Sequence, residues 1–329
     1  MIVYGDNIHR RMEQVERIVF LDRSAIRVEL RKPRFPHEWV EYSTTSKDKV
    51  VERLQGATIA VTNRVSLGEE ELMLLTKLKY IAVAATGVDC VDLGACRDRG
   101  IVVSNVRNWS VSVPEHVFAL ILALRRNLFA YREMIQQGAW ETSESFSLLL
   151  EPLPMALWGT TIGIVGYGVL GRRVAEIAEA FGMKVVVSER KGAGIIREGR
   201  TAFNKTLESS DVLVILCPLT EETRGLVGLE ELKKMPRHSL LINCSRGGIV
   251  CETDLANALT EGIIAGAGVD VLNIEPPQGD NALLKLHQEN LVITPHVAWA
   301  SKQSLQILGD QLIDNLEAFA AGNPKNTVV

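Results

Sequence analysis

The chain of 329 residues is 47% apolar and 23% charged, a composition typical of a globular protein with room for about two domains. Its formal net charge of −4 provides no basic excess that would favour a nucleic acid or an anionic membrane as a partner. The longest uncharged stretch, Pro152–Gly171, contains two prolines and five glycines, so it does not predict a helix that spans a membrane.

From residue 12 onward, short apolar runs alternate with segments of helical period, which is the pattern of a doubly wound α/β protein. Residues 1–11 stand apart from this pattern, and we interpret them as an extension. The predicted strands of the first part are Ile18–Leu21, Ala57–Val61, Tyr80–Ala84 and Ile101–Ser104, and the helices between them are Gly68–Leu78 and Val91–Arg99.

A different pattern begins at Ser112. Ser112-Val-Pro-Glu115 predicts a capping box with proline in the first turn, at the start of a mostly apolar helix that reaches about Ala130 and would suit a hinge between two domains. Residues 138–158 are irregular and contain prolines and aromatic residues, so we expect a surface arm that packs on another domain or subunit. Ser301–Ala321 predicts a long amphipathic helix.

The five cysteines are odd in number and show no C-x-x-C spacing, which predicts neither a disulfide framework nor a zinc site. No metal is therefore expected. Unpaired thiols are typical of a reducing compartment, and no apolar run follows the first charged residues as it would in a secretory signal. We expect a cytoplasmic protein.

A glycine-rich turn follows the apolar strand Thr161–Val165. It reads Gly166-Tyr167-Gly168-Val169-Leu170-Gly171, and the helix after it carries apolar residues at 3.6-residue spacing: Leu170, Val174, Ile177, Ala178 and Phe181. A strand, a G-x-G-x-x-G turn and a helix form the unit that binds a dinucleotide, with the pyrophosphate at the helix N-terminus. FAD and S-adenosylmethionine domains use related turns, but a nicotinamide dinucleotide is the ligand that we expect.

The choice between NAD and NADP depends on Glu189, which follows the next strand, 18 residues after Gly171. A carboxylate there can accept from both adenosine ribose hydroxyls and repels a 2′-phosphate, which favours NAD. Arg190 and Lys191 come directly after it, and cations at this place could hold the phosphate of NADP. We expect NAD and leave NADP open.

Arg246, Glu275 and His296 each come shortly after a predicted strand in the same half of the chain. Because ligands bind at the carboxyl ends of the strands of an open parallel sheet, these side chains could converge on one cleft. Reduction of a 2-keto acid needs a cation for the carboxylate, an acid that protonates the carbonyl oxygen, and a carboxylate that favours the charged form of that acid. Arg246, His296 and Glu275 fill these three roles in that order.

Seven ordered segments resemble the D-isomer-specific 2-hydroxyacid dehydrogenases, and the similarity extends from Ile18 to Val328. The segments are Ala85–Asp89, Ser112–His116, Gly166–Gly171, Cys217–Thr220, Asn243–Gly248, Gly268–Glu275 and Thr294–Ser301. The resemblance implies two Rossmann-like domains: a substrate domain made of residues 12–106 and 300–329, split around an NAD-binding domain at 107–299. It also implies a homodimer that pairs through the NAD domain.

The resemblance assigns further site residues. Gly87 and Val88 would offer backbone N–H groups to the substrate carboxylate, and Asp270 would hold the nicotinamide carboxamide. It also makes Arg246, Glu275 and His296 the catalytic trio. The remaining cofactor contacts that it implies are Cys217, Pro218, Thr223, Cys244 and Ser245.

Within this family, Val113–Leu120 and His296–Ser301 are most similar to the glycerate dehydrogenases, also called hydroxypyruvate reductases. This similarity implies reduction of hydroxypyruvate to D-glycerate, with Trp299 narrowing the substrate pocket or, alternatively, packing at the domain junction. Glyoxylate, lactate or another small 2-keto or 2-hydroxy acid is the alternative substrate. An alternative of another class is an NAD(H)-sensing corepressor-like binding module, since such proteins also have Ala-Trp after the histidine.

Overall fold

The computed structural model describes residues 15–107, 111–151 and 153–329. The chain divides into two compact units: the first unit comprises Met1–Ser110 and Ala300–Val329, and the second unit comprises Val111–Trp299. The extension predicted at residues 1–11 lies outside the described residues. Among the described helices, none combines the length and the apolar character that a membrane span requires.

Both units are built from short parallel strands joined by helices. The elements in chain order are β1 Glu16–Phe20, β2 His37–Glu41, α1 Val50–Leu54, β3 Ile59–Thr62, α2 Glu69–Leu74, β4 Tyr80–Val83, α3 Leu93–Asp98, β5 Val102–Ser104, α4 Val113–Arg125, α5 Leu128–Gln136, β6 Thr161–Val165, α6 Val169–Ala180, β7 Lys184–Val187, α7 Phe203–Ser209, β8 Val212–Ile215, α8 Leu229–Leu232, β9 Leu240–Asn243, α9 Glu252–Thr260, β10 Gly266–Val269, β11 Leu291–Ile293 and α10 Lys302–Ala320.

The first unit has a five-stranded parallel sheet in the order β2-β1-β3-β4-β5. Its central strands β3 and β4 are buried along their whole length, which explains why they are apolar runs without alternation. Helix α10 returns to this sheet from the end of the chain, and its Phe319 stacks on Tyr80 of β4 with the ring centroids 4.2 Å apart. The Ser301 hydroxyl caps α10 by accepting from the N–H of Ser304 at 3.1 Å, so the predicted C-terminal helix is confirmed.

The second unit has a six-stranded parallel sheet in the order β11-β10-β9-β8-β6-β7. Successive residues of β8 belong to different hydrophobic clusters: Val212 and Val214 to one, Leu213 and Ile215 to the other, so both faces of the sheet are covered. Strands β7 and β8 lie on opposite sides of β6. The strand order therefore reverses at β6, and ligands of such sheets bind at the carboxyl ends of the strands at this point. The predicted fold class, two doubly wound parallel sheets, is confirmed.

The helix predicted from Ser112 to about Ala130 is wrong in two respects. Helix α4 ends at Arg125 because Asn127 adopts the left-handed conformation, with φ 49°, and α5 begins after it. The predicted capping box does not form either. The backbone of Ser112 is helical, and its hydroxyl donates to the carbonyl of Ala298 at 3.0 Å instead of accepting from the first turn of α4.

Candidate active site

The glycine-rich turn lies at the carboxyl end of β6, directly before α6. Gly166 has φ 102°, and a Cβ atom there would lie 2.4 Å from the backbone nitrogen of Cys217, so the fold requires glycine. A Cβ atom on Gly171 would lie 2.2 Å from the carbonyl oxygen of Gly166, because the helix packs closely on the strand. A Cβ atom on Gly168, in contrast, would meet nothing within 4 Å in the described chain. This open space beside the N-terminus of α6 fits the approach of a pyrophosphate.

Two arginines flank the aromatic residue of the turn. The guanidinium carbons of Arg172 and Arg200 lie 5.4 and 5.1 Å from the centroid of the Tyr167 ring, within the range of a cation–π contact. The neighbouring Leu170 packs on the core of the second unit, whereas Val169 is exposed. The turn therefore has positive charge beside the place predicted for the phosphates.

Glu189 lies shortly after β7 with its side chain buried, and its carboxylate has four donors within the chain. Arg197 Nε and Nη2 donate to Oε2 and Oε1 at 2.7 and 2.6 Å, and the backbone N–H groups of Arg190 and Arg197 donate at 2.8 and 3.3 Å. The hydrogen bonds from Arg197 lower the pKa of Glu189 to about 2. Acceptance from a ribose, the predicted role of Glu189, therefore requires Arg197 to move aside.

Arg190 and Lys191, the cations predicted to attract the phosphate of NADP, differ in exposure and in pairing. Arg190 is exposed. The Nζ atom of Lys191 lies 3.0 Å from Glu231 and 3.2 Å from the carbonyl oxygen of Leu226, so this charge is already paired. Sequence reasoning missed Arg197, the cation that touches Glu189, because the two lie eight positions apart in a segment without a regular period.

The loops after β8 and β9 contain the other predicted cofactor residues. Thr223 closes the first loop, since its hydroxyl donates to the carbonyl of Pro218 at 2.7 Å. The Ser245 hydroxyl donates to the carbonyl of Cys217 and joins the two loops. Burial raises the pKa of the Cys217 thiol to about 11 and also raises the pKa of Cys244, so both thiols stay protonated near neutral pH.

His296 and Glu275 form a hydrogen-bonded pair. The distance between His296 Nδ1 and Glu275 Oε2 is 2.6 Å, and the other carboxylate oxygen accepts from the N–H of Leu272 at 2.9 Å. Because Nδ1 faces the carboxylate, the predicted proton exchange with a substrate would involve Nε2. Of the predicted trio, these two residues are in direct contact.

Arg246 and His296 follow strands that end at the same level of the sheet. Val269, the last residue of β10, is the register partner both of Asn243 at the end of β9 and of Ile293 at the end of β11. Arg246 follows three residues after Asn243, and His296 follows three residues after Ile293. The sheet therefore places both side chains at one edge, as the sequence predicted for parallel strands.

Close backbone packing also joins the loop of Arg246 to the loop of Glu275. A Cβ atom on Gly247 would lie 2.0 Å from the carbonyl oxygen of Leu272, so the two loops touch directly after Arg246. Leu272 is the residue whose N–H orients Glu275. The backbone that carries the arginine is thus fixed against the loop that carries the carboxylate.

Asp270 directly follows β10, and its side chain is 1% exposed. Oδ1 accepts from the Thr294 hydroxyl at 2.6 Å and from the N–H of Val297 at 2.9 Å, and Oδ2 accepts from the N–H of Ala298 at 3.0 Å. Its backbone carbonyl accepts from the N–H of His296 at 2.7 Å. Asp270 therefore holds the loop that carries the histidine, a role that sequence reasoning missed. Its contact to the nicotinamide stays a prediction.

The backbone of His296 is in the left-handed region, with φ 54°, which only glycine adopts without cost. Besides the hydrogen bond to Asp270, the indole Nε1 of Trp299 donates to the His296 carbonyl at 2.8 Å. Trp299 thus helps to hold His296 in place, which neither of its two sequence interpretations included. Whether it also narrows a substrate pocket stays a prediction.

The predicted carboxylate donors Gly87 and Val88 lie in the first unit, in the loop after β4. Two carbonyl groups hold this loop. That of Ala85 accepts from the N–H of Val106 at 3.2 Å, and that of Thr86 accepts from the side-chain amide of Asn105 at 2.7 Å. No acceptor for the N–H of Gly87 or Val88 is found in the described part of the chain. Their donation to a substrate carboxylate stays a prediction.

A turn shaped for a dinucleotide and a histidine–carboxylate pair at the strand ends define a nicotinamide-dependent oxidoreductase. Comparison with known proteins agrees: residues 118–298 match the family described as D-isomer specific 2-hydroxyacid dehydrogenase, NAD binding domain. The glycerate dehydrogenase of Methylorubrum extorquens is 46% identical over 95% of this chain and 99% of its own length. The hydroxypyruvate reductase of Blautia hydrogenotrophica is 35% identical over 87% of this chain and 89% of its own.

A solved structure shows the same architecture. The NADPH-dependent glyoxylate/hydroxypyruvate reductase from Sinorhizobium meliloti, in complex with NADP and malonate, has a TM-score of 0.80 at 29% identity and covers 96% of this chain and 97% of its own. The chain belongs to the D-isomer specific 2-hydroxyacid dehydrogenases. It is an NAD(P)-dependent oxidoreductase acting on the CH–OH group of 2-hydroxy acids, which confirms the enzymatic interpretation.

Replacement of His296 tests its predicted role as the proton donor. His296→Ala should lower kcat about 10²–10⁴-fold, because the acid that protonates the carbonyl oxygen is removed, while NADH binding measured by fluorescence titration should persist. His287→Ala, which removes an exposed histidine, is the matched control and should keep full activity. Unchanged turnover in His296→Ala would show that another group donates the proton.

Proposed function

We propose that this protein is a glycerate dehydrogenase that reduces hydroxypyruvate to D-glycerate. The observation that carries the proposal is the His296–Glu275 pair, in a chain that aligns with the M. extorquens glycerate dehydrogenase over nearly its whole length. Reduction of glyoxylate is the second candidate, since the S. meliloti relative is described as a glyoxylate/hydroxypyruvate reductase.

Proton transfer in this proposal is the work of His296. NADH, when bound, supplies the hydride that becomes bonded to C2 of the keto acid. His296 delivers the proton from Nε2 to the carbonyl oxygen, and Glu275 at Nδ1 stabilises the charged imidazole before the transfer. In the oxidation of glycerate, His296 takes the proton from the hydroxyl. Because Asp270 and Trp299 hold the backbone of His296, the direction of the ring is set before the substrate binds.

Arg246 is the proposed partner of the substrate carboxylate. Its guanidinium can donate two parallel N–H groups to the two carboxylate oxygens, which orients the acid as well as binding it. The close packing of Gly247 on Leu272 fixes the start of this side chain. That Gly87 and Val88 donate to a substrate carboxylate stays a prediction from the resemblance, supported by their lack of an acceptor in the described residues.

We propose that the enzyme prefers NADH over NADPH, and that Arg197 makes this preference smaller. A carboxylate without a partner at Glu189 would repel a 2′-phosphate strongly, whereas the Arg197 guanidinium neutralises it. Arg190 and Arg200 add positive charge in the same segment, and Arg200 lies against Tyr167 of the turn. Glu189 stays ionised at any pH used in an assay, because its pKa is lowered to about 2 and its charge is lost only as the pH falls through that value. The preference should therefore not change between about pH 6 and 9.

A homodimer that pairs through the second unit is the proposed assembly. Residues 138–151 and 153–158, with α5 before them, expose large apolar side chains, among them Phe146 at 92%, Trp158 at 81% and Leu149 at 68%. A concentration of exposed apolar groups on one segment is typical of an interaction surface. A second copy of the chain is the occupant that we propose, since each copy would bury the arm of the other across a twofold axis.

The cytoplasm is the proposed setting, because the cysteines are free thiols rather than disulfides. Burial raises the pKa of Cys90 and Cys96 to about 11, as it does for Cys217, so these thiols have little thiolate and resist oxidation. The thiols therefore act as small packing groups.

The substrate is tested by comparing hydroxypyruvate, glyoxylate and pyruvate under one set of conditions with NADH. We expect the highest kcat/KM for hydroxypyruvate. Arg246→Lys should lower kcat/KM for each acid by about 10–10³-fold, because lysine keeps the charge but not the two-pronged contact. A higher kcat/KM for glyoxylate would assign the second candidate function instead.

Cofactor choice is tested by measuring kcat/KM for NADH and NADPH in variants of the ion pair. Arg197→Met leaves Glu189 unpaired and should increase the preference for NADH about tenfold, whereas Glu189→Gln should reduce it by a similar factor. Arg173→Met removes an exposed arginine of the same region that pairs with Glu176, and it serves as the control. Equal ratios in all four proteins would exclude Glu189 and Arg197 from cofactor selection.

The interface is tested by the mass of the protein in solution. Phe146→Glu combined with Leu149→Glu should convert a dimer to a monomer, because charges without partners would be buried between the copies. Ile195→Glu places the same charge on a residue that is 83% exposed outside the arm, and it should leave the mass unchanged. Size-exclusion chromatography with light scattering gives the mass. A dimer that survives the double substitution would place the interface elsewhere.

A further inference from the structure

Helix α4 lies very close to strand β10. A Cβ atom on Gly266 would be 3.4 Å from a side-chain carbon of Leu124, and one on Gly268 would be 2.9 Å from the Cβ atom of Leu120. Four helix residues advance about 6 Å and two strand residues about 6.6 Å, so helix and strand stay in step along this contact. Glycine on the strand allows the helix to approach to this distance.

One helix turn before Leu120, His116 of α4 lies beside Asp270, the residue that follows β10. Its Nε2 atom lies 2.9 Å from the Thr294 hydroxyl and 3.6 Å from Asp270 Oδ1. The Thr294 hydroxyl has a single proton, which it donates to Asp270 at 2.6 Å, since an ionised carboxylate only accepts. His116 must then donate to Thr294, which assigns a proton to its Nε2.

His116 of α4 and Ser112, the residue directly before α4, therefore contact the chain on both sides of His296. His116 binds Thr294, two residues before His296, and Ser112 donates to the carbonyl of Ala298, two residues after it, at 3.0 Å. Ser112 and His116 are four residues apart and lie on the same side of the helix. These two hydrogen bonds end on Ala298 and Thr294, so any effect that they have on the His296–Glu275 pair is indirect.

We propose that His116 is a positioning residue for the reduction, acting on His296 through Thr294 and Asp270. The inference rests on the proposed function, in which His296 delivers the proton. Loss of the His116 N–H would let the Thr294 hydroxyl turn away from Asp270, and the left-handed backbone of His296 would lose part of its support. The imidazole would then adopt other directions, which slows proton transfer without weakening the binding of the keto acid.

The test separates kcat from KM in two pairs of variants. His116→Ala should lower kcat about 10–100-fold and change the KM for hydroxypyruvate less than about threefold. His116→Gln, whose amide N–H can donate to Thr294, should recover most of the loss. Thr294→Val should lower kcat in the same way, and Thr294→Ser, which keeps the hydroxyl, should restore it. The second pair gives the answer even where His116→Ala does not fold.

A double variant tests whether the two residues act through one link. His116→Ala combined with Thr294→Val should lower kcat no further than the more damaging single substitution, because each removes the same connection. Phe118→Leu is the matched control on α4. It weakens the stacking on Phe181, whose ring centroid is 5.3 Å away, so it should lower the melting temperature and leave kcat unchanged.

The outcomes distinguish this inference from the proposed function. Turnover that survives in His296→Ala contradicts the proposed function itself. If His296→Ala is inactive but folded His116→Ala keeps kcat within about twofold, only the positioning role of His116 is overturned. The same conclusion follows if His116→Gln is as slow as His116→Ala, or if the losses of the two single variants multiply.

Discussion

The reactive end of the second sheet depends on one buried carboxylate. Asp270 is almost sealed from water, and a charge in such a place is stable only while donors surround it. Its donors are the Thr294 hydroxyl and the N–H groups of Val297 and Ala298, so the loop cannot rearrange without leaving the charge unsatisfied. The left-handed backbone of His296 is held within this loop. Glu275 then orients the ring and stabilises its charged form.

The features that depend on period and spacing were predictable from the sequence. Alternating apolar runs and helical periods are enough to predict two parallel sheets, because each element must bury its apolar face against the next. The glycine turn was predictable because crowding at Gly166 and Gly171 is local to one βαβ unit. Arg246 and His296 could be expected at one edge of the sheet because parallel strands end there, and each follows by three residues a strand end that pairs with Val269.

The features that escaped sequence reasoning join residues with no periodic relation. Ser112 begins a pattern that is typical of a capping box, but its hydroxyl finds Ala298, 186 residues away, and a tertiary contact of this kind leaves no local signal. Arg197 reaches Glu189 across an irregular loop, so the cofactor region carries a charge balance that the adjacent Arg190 and Lys191 did not reveal. Asn127 interrupts an apolar helix with no proline or glycine to mark the break.

Gly268 of β10, which faces Leu120, affects how mutations in this enzyme would be classified. A side chain at Gly268 would push α4 away from the sheet. The hydrogen bond between His116 and Thr294, one helix turn before Leu120, would then open. In a genetic selection for growth on a 2-hydroxy acid, such a mutation would be scored together with losses of the proton donor, although it lies in the middle of a strand. The set of positions under selection for catalysis thus extends from the loop into the packing of the sheet.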